Sequence, residues 1–273
     1  MIHIHKISHI LKDLERHIIE SKPFSLIRFG DGGLKFIEAV INDDEDQLEV
    51  IVDKEGIPRN KIIEVFELWG LYARQANYID SPEVYFTNEF WPRLKGPTKQ
   101  MSQKTLGKLE GWEELYNRAE FDNTSYCNPE VNFLMILKRH REKNLFNILE
   151  NRKVACITSF PEVTSHLKDF DISPIPIVKQ YEGHYENSFK YVIEIIKKKV
   201  NKYDLWLVAA GELGRLYSGM IKELGGRAID IGFVIEYWLH GEVPIRLTPF
   251  IRPSSNKLEL RLQGESHKYK KFL

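Results

Sequence analysis

One short segment, residues 24–33, combines an arginine, an aspartate and closely spaced glycines at the end of an apolar stretch. Arg28 and Asp31 carry opposite charges, and Gly30 and Gly32 bracket the carboxylate. A helical apolar pattern resumes immediately afterwards. A strand that passes through a Gly-Asp-Gly turn into a helix brings backbone N–H groups and a fixed charge to the carboxyl edge of a sheet, where open α/β sheets bind ligands. The segment therefore predicts a ligand-binding turn.

A second glycine-containing turn follows the apolar run of residues 204–210. Gly211, Glu212 and Gly214 lie between that predicted strand and a predicted helix. Such a turn presents N–H groups and the positive end of the helix dipole to a phosphate. It is equally a tight turn whose glycines serve packing alone, and Glu212 in the first helical turn would repel an anion. Both interpretations stay open.

Two further groups of residues follow predicted strands. Asp230, with Gly232 after it, lies near the end of the predicted strand 227–231, where a carboxylate bonds a ribose hydroxyl or caps a nearby helix. Glu182 and His184 follow the predicted strand 174–179. They are candidates for a general base or a metal ligand, with an ordinary polar loop as the alternative.

The elements that position these residues alternate between strand and helix. Strands are predicted around Leu26 and at residues 153–158, 174–179, 204–210 and 227–231; helices are predicted at residues 7–18, 34–41, 59–77, 161–170, 189–200 and 211–224. Residues 42–46 are predicted to be a solvated acidic loop. The pattern predicts an α/β, Rossmann-like fold whose mostly parallel sheet carries helices on both faces. We expect one domain over residues 1–245, with a helical and irregular insertion at 78–126, and a C-terminal extension at 246–273.

The bulk composition narrows the function classes. The 273 residues include 39 Lys+Arg and 39 Asp+Glu, so the chain lacks the basic excess that nucleic-acid binding favours. Two cysteines cannot build a disulfide framework. No apolar run reaches the ~20 residues of a membrane span, and residues 1–20 do not resemble a signal peptide. A cytoplasmic protein is the expectation, and the sequence leaves open whether copies form a homo-oligomer.

Three motifs in this order resemble the bacterial GT-D-type glycosyltransferases, formerly a domain of unknown function. Residues 25–32, Ser-Leu-Ile-Arg-Phe-Gly-Asp-Gly, resemble the N-terminal signature Arg-Phe-Gly-Asp-Gly-Glu of that family. Residues 207–214, Leu-Val-Ala-Ala-Gly-Glu-Leu-Gly, resemble its late strand-turn-helix. Residues 228–232, Ala-Ile-Asp-Ile-Gly, followed by Glu-Tyr-Trp at 236–238, resemble its closing strand. The matches span residues 20–240, with the middle of the chain unmatched.

The resemblance implies a Rossmann-like enzyme that transfers a sugar from a nucleotide diphosphate sugar, such as a UDP-sugar, to a glycan or glycoprotein in cell-surface assembly. Asp31 would act at the diphosphate or sugar, and Glu182 is the candidate base for the acceptor. The donor would be bound by Arg28, Gly30, Gly32, Gly211, Glu212, Gly214, Asp230 and Gly232. A divalent metal, Mn²⁺ or Mg²⁺, would be held by Asp31.

Two positions depart from the family pattern. Gly33 stands where the signature has Glu, and Phe233 stands where the closing motif has His. Three hypotheses follow. The enzyme is metal-independent and uses Arg28, Arg215 and helix N-termini; it recruits Glu38, Glu182 or His184 as ligands; or it is a non-catalytic relative that binds nucleotide and partners an active transferase.

A function from another class also stays open. A strand followed by Gly-x-x-Gly and a helix suits adenosylmethionine as well, so a methyltransferase is the third hypothesis. In methyltransferases the glycine loop usually follows the first strand of the domain, whereas the best glycine turn of this chain comes late in the sequence. This ranks the methyltransferase last.

Overall fold

The computed structural model of the protein describes residues 3–5, 7–80, 117–118, 125–127, 145–179, 181–232 and 235. Side chains are described for most of these residues, but not for residues 30–32. All elements below lie within these ranges.

A parallel sheet forms the centre of the described fold. Its eight strands are β1 (His3–His5), β2 (Phe24–Ile27), β3 (Tyr78–Asp80), β4 (Ser125–Cys127), β5 (Lys153–Thr158), β6 (Asp171–Pro176), β7 (Leu205–Ala209) and β8 (Arg227–Asp230). Their order across the sheet is β1-β4-β3-β2-β8-β7-β5-β6, and each pairing is parallel. Because the strands are parallel, all of their carboxyl ends lie at one edge.

Helices cover both faces of this sheet. The α-helices are α1 (Ile7–Ile19), α2 (Gly30–Ile41), α3 (Glu45–Glu55), α4 (Ile62–Gln75), α5 (Leu145–Leu149), α6 (Val163–His166), α7 (Lys190–Lys199) and α8 (Gly214–Glu223). Short 3₁₀ turns occupy Arg59–Lys61, Val200–Lys202 and Gly211–Leu213, and a π-helical turn occupies Tyr185–Phe189.

Alternation along the central strands divides the core into two apolar layers. On β7, Trp206 and Val208 pack with helices α2, α3, α4, α7 and α8, whereas Leu205 and Leu207 pack with α1, α5 and α6. All four side chains are buried. Strands buried on both faces are near-continuous apolar runs, which is the pattern found in the sequence. The predicted fold class is confirmed.

Several predicted boundaries need correction. Helix α2 begins at Gly30, so the Gly-Asp-Gly segment is the first helical turn and not a separate turn before a helix at residue 34. The predicted acidic loop is only a short connection, because Asp44 caps helix α3 by accepting from the Gln47 N–H at 3.1 Å. Strand β6 begins at Asp171, earlier than predicted, and lies at the sheet edge as its prolines require.

The start of α7 also differs from prediction. We expect a side-chain cap near Asn187 or Ser188, but a π-helical turn leads directly into the helix. The last residue of β8 is Asp230, whereas the predicted strand 227–231 continues for one more residue. This shift puts the Asp230 carboxylate at the edge where ligands bind.

The two ends of the predicted insertion are strands. Tyr78–Asp80 and Ser125–Cys127 pair with each other inside the sheet, although their apolar runs are too short to stand out in the sequence. Most of the segment between them, residues 128–144, Phe233 and the C-terminal extension lie outside the described residues. Within the described residues, we find no helix with the length and apolar character needed to span a membrane.

Helices α4 and α8 pack closely at Gly219. A Cβ built on this glycine would overlap the ring of Tyr72, which is itself buried. We expect Gly219→Ala to lower the free energy of unfolding by about 1–3 kcal/mol, because overpacking outweighs the higher helix propensity of alanine. Urea unfolding measures the change.

Ser218→Ala, one residue earlier on the same helix, provides the control for this prediction. The Ser218 hydroxyl is buried and has no hydrogen-bond partner among the described residues, so its removal should be neutral or slightly stabilising. Equal effects of the two substitutions would contradict the close contact between α4 and α8.

Candidate functional site

The connection from β2 to α2 is fixed through its backbone. The Phe29 N–H donates to Oδ1 of Asp80, the last residue of β3, at 2.8 Å. The Phe29 carbonyl accepts from the Gly33 N–H at 2.8 Å within the first turn of α2. Asp31 lies on the backbone of that turn, directly beyond the end of β2. The opening segment therefore lies at the carboxyl edge, as predicted.

Arg215, near the start of α8, links this segment to the turn after β7. Its Nη2 donates to the Phe29 carbonyl, and its Nη1 forms an ion pair with Glu212. Its guanidinium carbon lies 4.6 Å from the centre of the Trp69 ring and 5.5 Å from that of Phe29. The side chain is only 5% exposed. Hydrogen bonds, an ion pair and aromatic stacking together hold the guanidinium in one position.

The end of β8 meets the same cluster. Asp230 Oδ1 accepts from the Gly232 N–H at 3.0 Å, and Gly232 adopts a φ of +50°, which favours glycine. A Cβ on Gly232 would lie 2.9 Å from Nη1 of Arg28, and a Cβ on Gly214 would lie 3.9 Å from the Asp230 carboxyl carbon. The ends of β2, β7 and β8 therefore converge.

The environment of Asp230 perturbs its ionisation. Burial raises the pKa of Asp230 to about 6, and the Asp80 carboxylate acts in the same direction. The guanidinium groups of Arg28 and Arg215 and the Gly232 N–H lower the pKa without cancelling the effect of burial. A carboxylate with a pKa raised by burial next to specific charges is typical of functional sites, although structural ion pairs produce such shifts too.

A third cation, Lys54 at the end of α3, lies beside the turn after β7. Its Nζ is 3.4 Å from Glu212 Oε1 and 3.6 Å from Glu55 Oε1. Burial alone would lower the pKa of Lys54, but the two carboxylates outweigh burial and raise it. Glu212 is thus neutralised by Arg215 and Lys54. The repulsion between Glu212 and a bound anion, expected from the sequence, is offset by these two cations.

Behind Lys54 lies a buried polar group. Glu55 Oε2 is 3.8 Å from His184 Nδ1, and His184 Nε2 is 3.4 Å from the Tyr217 hydroxyl. All three side chains are at most 1% exposed. Burial, followed by the charge of Glu55, raises the pKa of Tyr217 well above its ordinary value. His184, which the sequence offered as a base or metal ligand, is therefore buried behind Lys54 and contacts Glu55 and Tyr217.

The structure brings together most of the predicted donor-binding positions. Glu212, Gly214, Asp230 and Gly232 lie within one network with Arg28, and Gly211 opens the turn with a φ of +53°. Gly30, Asp31 and Gly32 adjoin this network through the backbone of α2. Their roles in binding stay predictions.

Glu182 lies in the loop that follows β6, a strand four positions away from β2 in the sheet. Its exposed carboxylate accepts from the Lys179 N–H at 3.3 Å, and its carbonyl accepts from Asn187 at 2.9 Å. The loop folds back toward α3, since the Tyr181 N–H donates to the Lys54 carbonyl at 2.6 Å. The role of Glu182 as base stays a prediction.

Sequence reasoning did not single out Asp80, Lys54 or Glu55. The signal for Glu55 was available, because Leu48, Ile51 and Glu55 follow helical spacing and place a carboxylate on the buried face of α3. Asp80 ends a strand of three residues, which is too short to detect by alternation. The sequence pointed to Arg215 only as a source of positive charge in place of a metal ion.

The described side chains do not fit a divalent cation. No group of three or more His, Cys, Asp or Glu residues converges on a common point within the ranges that the structure describes. The buried carboxylate Glu212 is already paired with cations, and Gly33 contributes no ligand. Glu38, another sequence candidate, lies on α2 and belongs to no such group among the described residues.

Solved structures of other proteins share this fold. A new glycosyltransferase (DUF1792) from Streptococcus sanguinis superposes with a TM-score of 0.56 at 14% identity, covering 88% of this chain and 86% of that one. This chain shares the fold of that glycosyltransferase. A selenomethionine-substituted structure of domain of unknown function 1792 gives a TM-score of 0.54 at 18% identity, covering 88% of this chain and 82% of that one.

A further structure is described as the highly conserved domain of unknown function 1792 with a distinct glycosyltransferase fold. It gives a TM-score of 0.52 at 18% identity, with coverage of 88% of this chain and 82% of that one. No protein-family model matches the sequence, and no curated protein matches it either. The similarity is therefore one of fold, as the sequence resemblance predicts.

Asp230 makes stability depend on pH in a defined direction. Between about pH 4 and 6 the unfolded chain loses this proton while the folded chain keeps it, so the free energy of unfolding falls as pH rises. We expect Asp230→Asn to remove this contribution and to be more stable than wild type by roughly 2–3 kcal/mol at pH 7, with a difference near zero at about pH 4. Urea unfolding across this range measures both proteins.

Asp53→Asn, which changes an exposed carboxylate on α3, controls for the substitution itself. If Asp230→Asn is less stable than wild type at pH 7, the guanidinium groups stabilise the charged form more than burial penalises it. That result would contradict the raised pKa.

Gly33 packs against Arg215. A Cβ at this position would lie 2.8 Å from Arg215 Nη2 and 2.8 Å from the Phe29 Cβ. We expect Gly33→Ala to lower the free energy of unfolding by about 1–2 kcal/mol, and Gly33→Glu to lower it more. Thermal unfolding provides the measurement. An increase in stability, as an unobstructed helical glycine would show, would contradict this contact.

Proposed function

We propose that this chain is a glycosyltransferase that transfers a sugar from a nucleoside diphosphate sugar to a hydroxyl of a glycan or glycoprotein acceptor, in cell-surface polysaccharide or glycoprotein assembly. The convergence of Arg28, Arg215 and Asp230 at the carboxyl ends of β2, β7 and β8 carries the proposal. The fold shared with a glycosyltransferase supports it.

The chemistry of the transfer sets what the site must do. The bond between the anomeric carbon and the diphosphate oxygen breaks, and its electron pair leaves with the diphosphate. A bond forms between the anomeric carbon and the acceptor oxygen, whose proton passes to a base. Because negative charge develops on the leaving diphosphate, positive groups fixed beside it lower the barrier.

Each part of the cluster has a proposed role. Gly211, Gly214 and Gly232 let the backbone approach the donor closely, and the turn after β7 presents N–H groups to a phosphate. Asp230 bonds a hydroxyl of the donor or supports the arginines. Asp31, in the first turn of α2, acts at the sugar or the diphosphate. Uridine diphosphate sugars are the first donors to test.

The acceptor hydroxyl requires a base to take up its proton. Glu182 has an exposed carboxylate in a loop beyond the carboxyl end of β6, and this loop bonds to the end of α3 beside Lys54. Exposure makes Glu182 accessible to an acceptor hydroxyl from solvent. We keep it as the candidate base.

A second candidate function is a nucleotide-sugar-binding subunit without turnover that partners an active transferase. Gly33 favours it, since the position offers no carboxylate to the site and a side chain there would meet Arg215. This candidate requires the same binding cluster but no catalysis.

A donor screen tests the proposal. Calorimetry with purified chain and a panel of nucleoside diphosphate sugars, with chelator and separately with excess MnCl₂, should reveal binding of at least one donor. Hydrolysis or transfer of that sugar is then measured through the nucleoside diphosphate that it releases. We expect Asp31→Asn to reduce the rate at least about 100-fold, the size of a lost transition-state contact.

Asp53→Asn is the matched control and should leave the rate unchanged, because Asp53 is exposed on α3. Binding without turnover by wild-type protein would favour the binding subunit. Binding of adenosylmethionine, with no binding of any sugar nucleotide, would contradict both candidates and favour a methyltransferase.

A further inference from the structure

We propose that the guanidinium groups of Arg28 and Arg215, and not a divalent cation, offset the charge of the donor diphosphate in this protein. The proposal rests on the proposed function. It concerns the source of the positive charge beside the diphosphate, and it follows because the described side chains form no group of ligands for a divalent cation.

Arg215 is held in place as a ligand-binding cation would have to be. Its two terminal nitrogens are engaged by Glu212 and by the Phe29 carbonyl, and its face lies on Trp69. Its Nε is buried and has no hydrogen-bond partner among the described residues. A buried donor without a partner is costly, and an anionic oxygen would remove that cost.

Arg28 supplies the second charge from the adjacent strand. It directly follows β2 and is 8% exposed, and its Nη1 lies beside Gly232 beyond the end of β8. Burial raises the pKa of Asp230 and that of Cys127, at the end of β4, and the charge of Arg28 opposes both rises. The two arginines therefore reach the carboxyl edge from β2 and from α8.

Two buried carboxylates of this region, those of Glu212 and Glu55, are occupied in ways that oppose metal binding. Glu212 is shared by Arg215 and Lys54, and Glu55 lies close to Lys54 and His184. A divalent ion would have to displace these cations from buried carboxylates, which leaves the displaced charges unpaired at high cost. The network instead orients cations that are already present.

Gly33 points to the same conclusion. Arg215 Nη2 lies 2.8 Å from the place that a Cβ at position 33 would take. The guanidinium thus borders the space that any side chain at position 33 would enter. The absence of a carboxylate at position 33 and the presence of a fixed guanidinium beside it favour charge supplied by the protein.

The charges of the cluster predict that donor binding is accompanied by proton uptake. In the described part of this cluster, Arg28, Arg215 and Lys54 face Asp80, Asp230, Glu55 and Glu212, so an incoming diphosphate adds negative charge to a nearly balanced set. Because burial raises the pKa of Asp230 to about 6, negative charge added beside this carboxyl favours its protonation. Calorimetry in buffers of different ionisation enthalpy should therefore detect proton uptake at pH 7.

The test compares nucleoside diphosphate binding with and without metal. Chelator-treated, desalted protein is titrated with uridine diphosphate and the other common nucleoside diphosphates, in EDTA and in excess MnCl₂. We expect the Kd in EDTA to lie within about threefold of that in MnCl₂, whereas a bridging metal ion would change it far more. Electron paramagnetic resonance of free Mn²⁺ should show no loss of signal on addition of protein and nucleotide beyond the loss with nucleotide alone.

Substitution of Arg28 tests whether its guanidinium group binds the diphosphate. Arg28→Gln should weaken nucleoside diphosphate binding by about tenfold or more, and Arg28→Lys by less, because the charge but not the planar fork is kept. Arg227→Gln is the matched control. Arg227 is also 8% exposed, but it lies at the opposite edge of the sheet, where it donates to the Asp204 and Tyr203 carbonyls.

The outcomes separate this inference from the proposed function. Binding that requires Mn²⁺, or a Mn²⁺ signal lost only when protein and nucleotide are both present, overturns the inference and keeps the function. Absence of binding of every nucleoside diphosphate under both conditions overturns the proposed function itself. The wild-type comparison decides the inference even if an arginine variant fails to fold.

Discussion

The contacts of one side chain, Arg215, hold the site together. Its guanidinium bonds to the Phe29 carbonyl beyond β2 and to Glu212 beyond β7, and it stacks on Trp69 of α4. Two crossover connections that are far apart in sequence are thereby fixed to each other. Gly33 follows from this constraint, since a side chain at this position would meet the guanidinium.

Burying so many charges is unfavourable unless each has a partner. The chain solves this with alternating signs, in which Lys54 connects Glu55 to Glu212 and Arg215 continues the series to the opening turn. At Asp230, burial outweighs the attraction of the Arg28 and Arg215 guanidinium groups and raises the pKa of the carboxyl to about 6. Proteins keep such unfavourable groups where function requires them, at some cost in stability.

The sequence predicted the fold class well, because long buried strands and amphipathic helices carry strong periodic signals. It also located the two glycine turns and Asp230. It missed β3 and β4, whose three residues are too few for alternation, and it missed α3, whose acidic start resembles a solvated loop. Lys54 and Glu55 were therefore not recognised as site residues, although the helical spacing of Leu48, Ile51 and Glu55 carries a signal for the buried carboxylate. Glu212 and Arg215 pair because they are three residues apart on one helical turn. The burial of the Arg215 guanidinium against Phe29 and Trp69 depends instead on contacts between residues far apart in sequence.

The central claim is that a nucleoside diphosphate binds at the carboxyl ends of β2, β7 and β8. Hydrogen–deuterium exchange with saturating uridine diphosphate, or whichever nucleoside diphosphate binds, tests this location directly. The account predicts that protection is concentrated in peptides covering residues 28–34, 211–215 and 230–232, with little change at the opposite edge around Asp204 and Arg227. Protection confined to other regions, at a nucleotide concentration that saturates binding, would contradict the account.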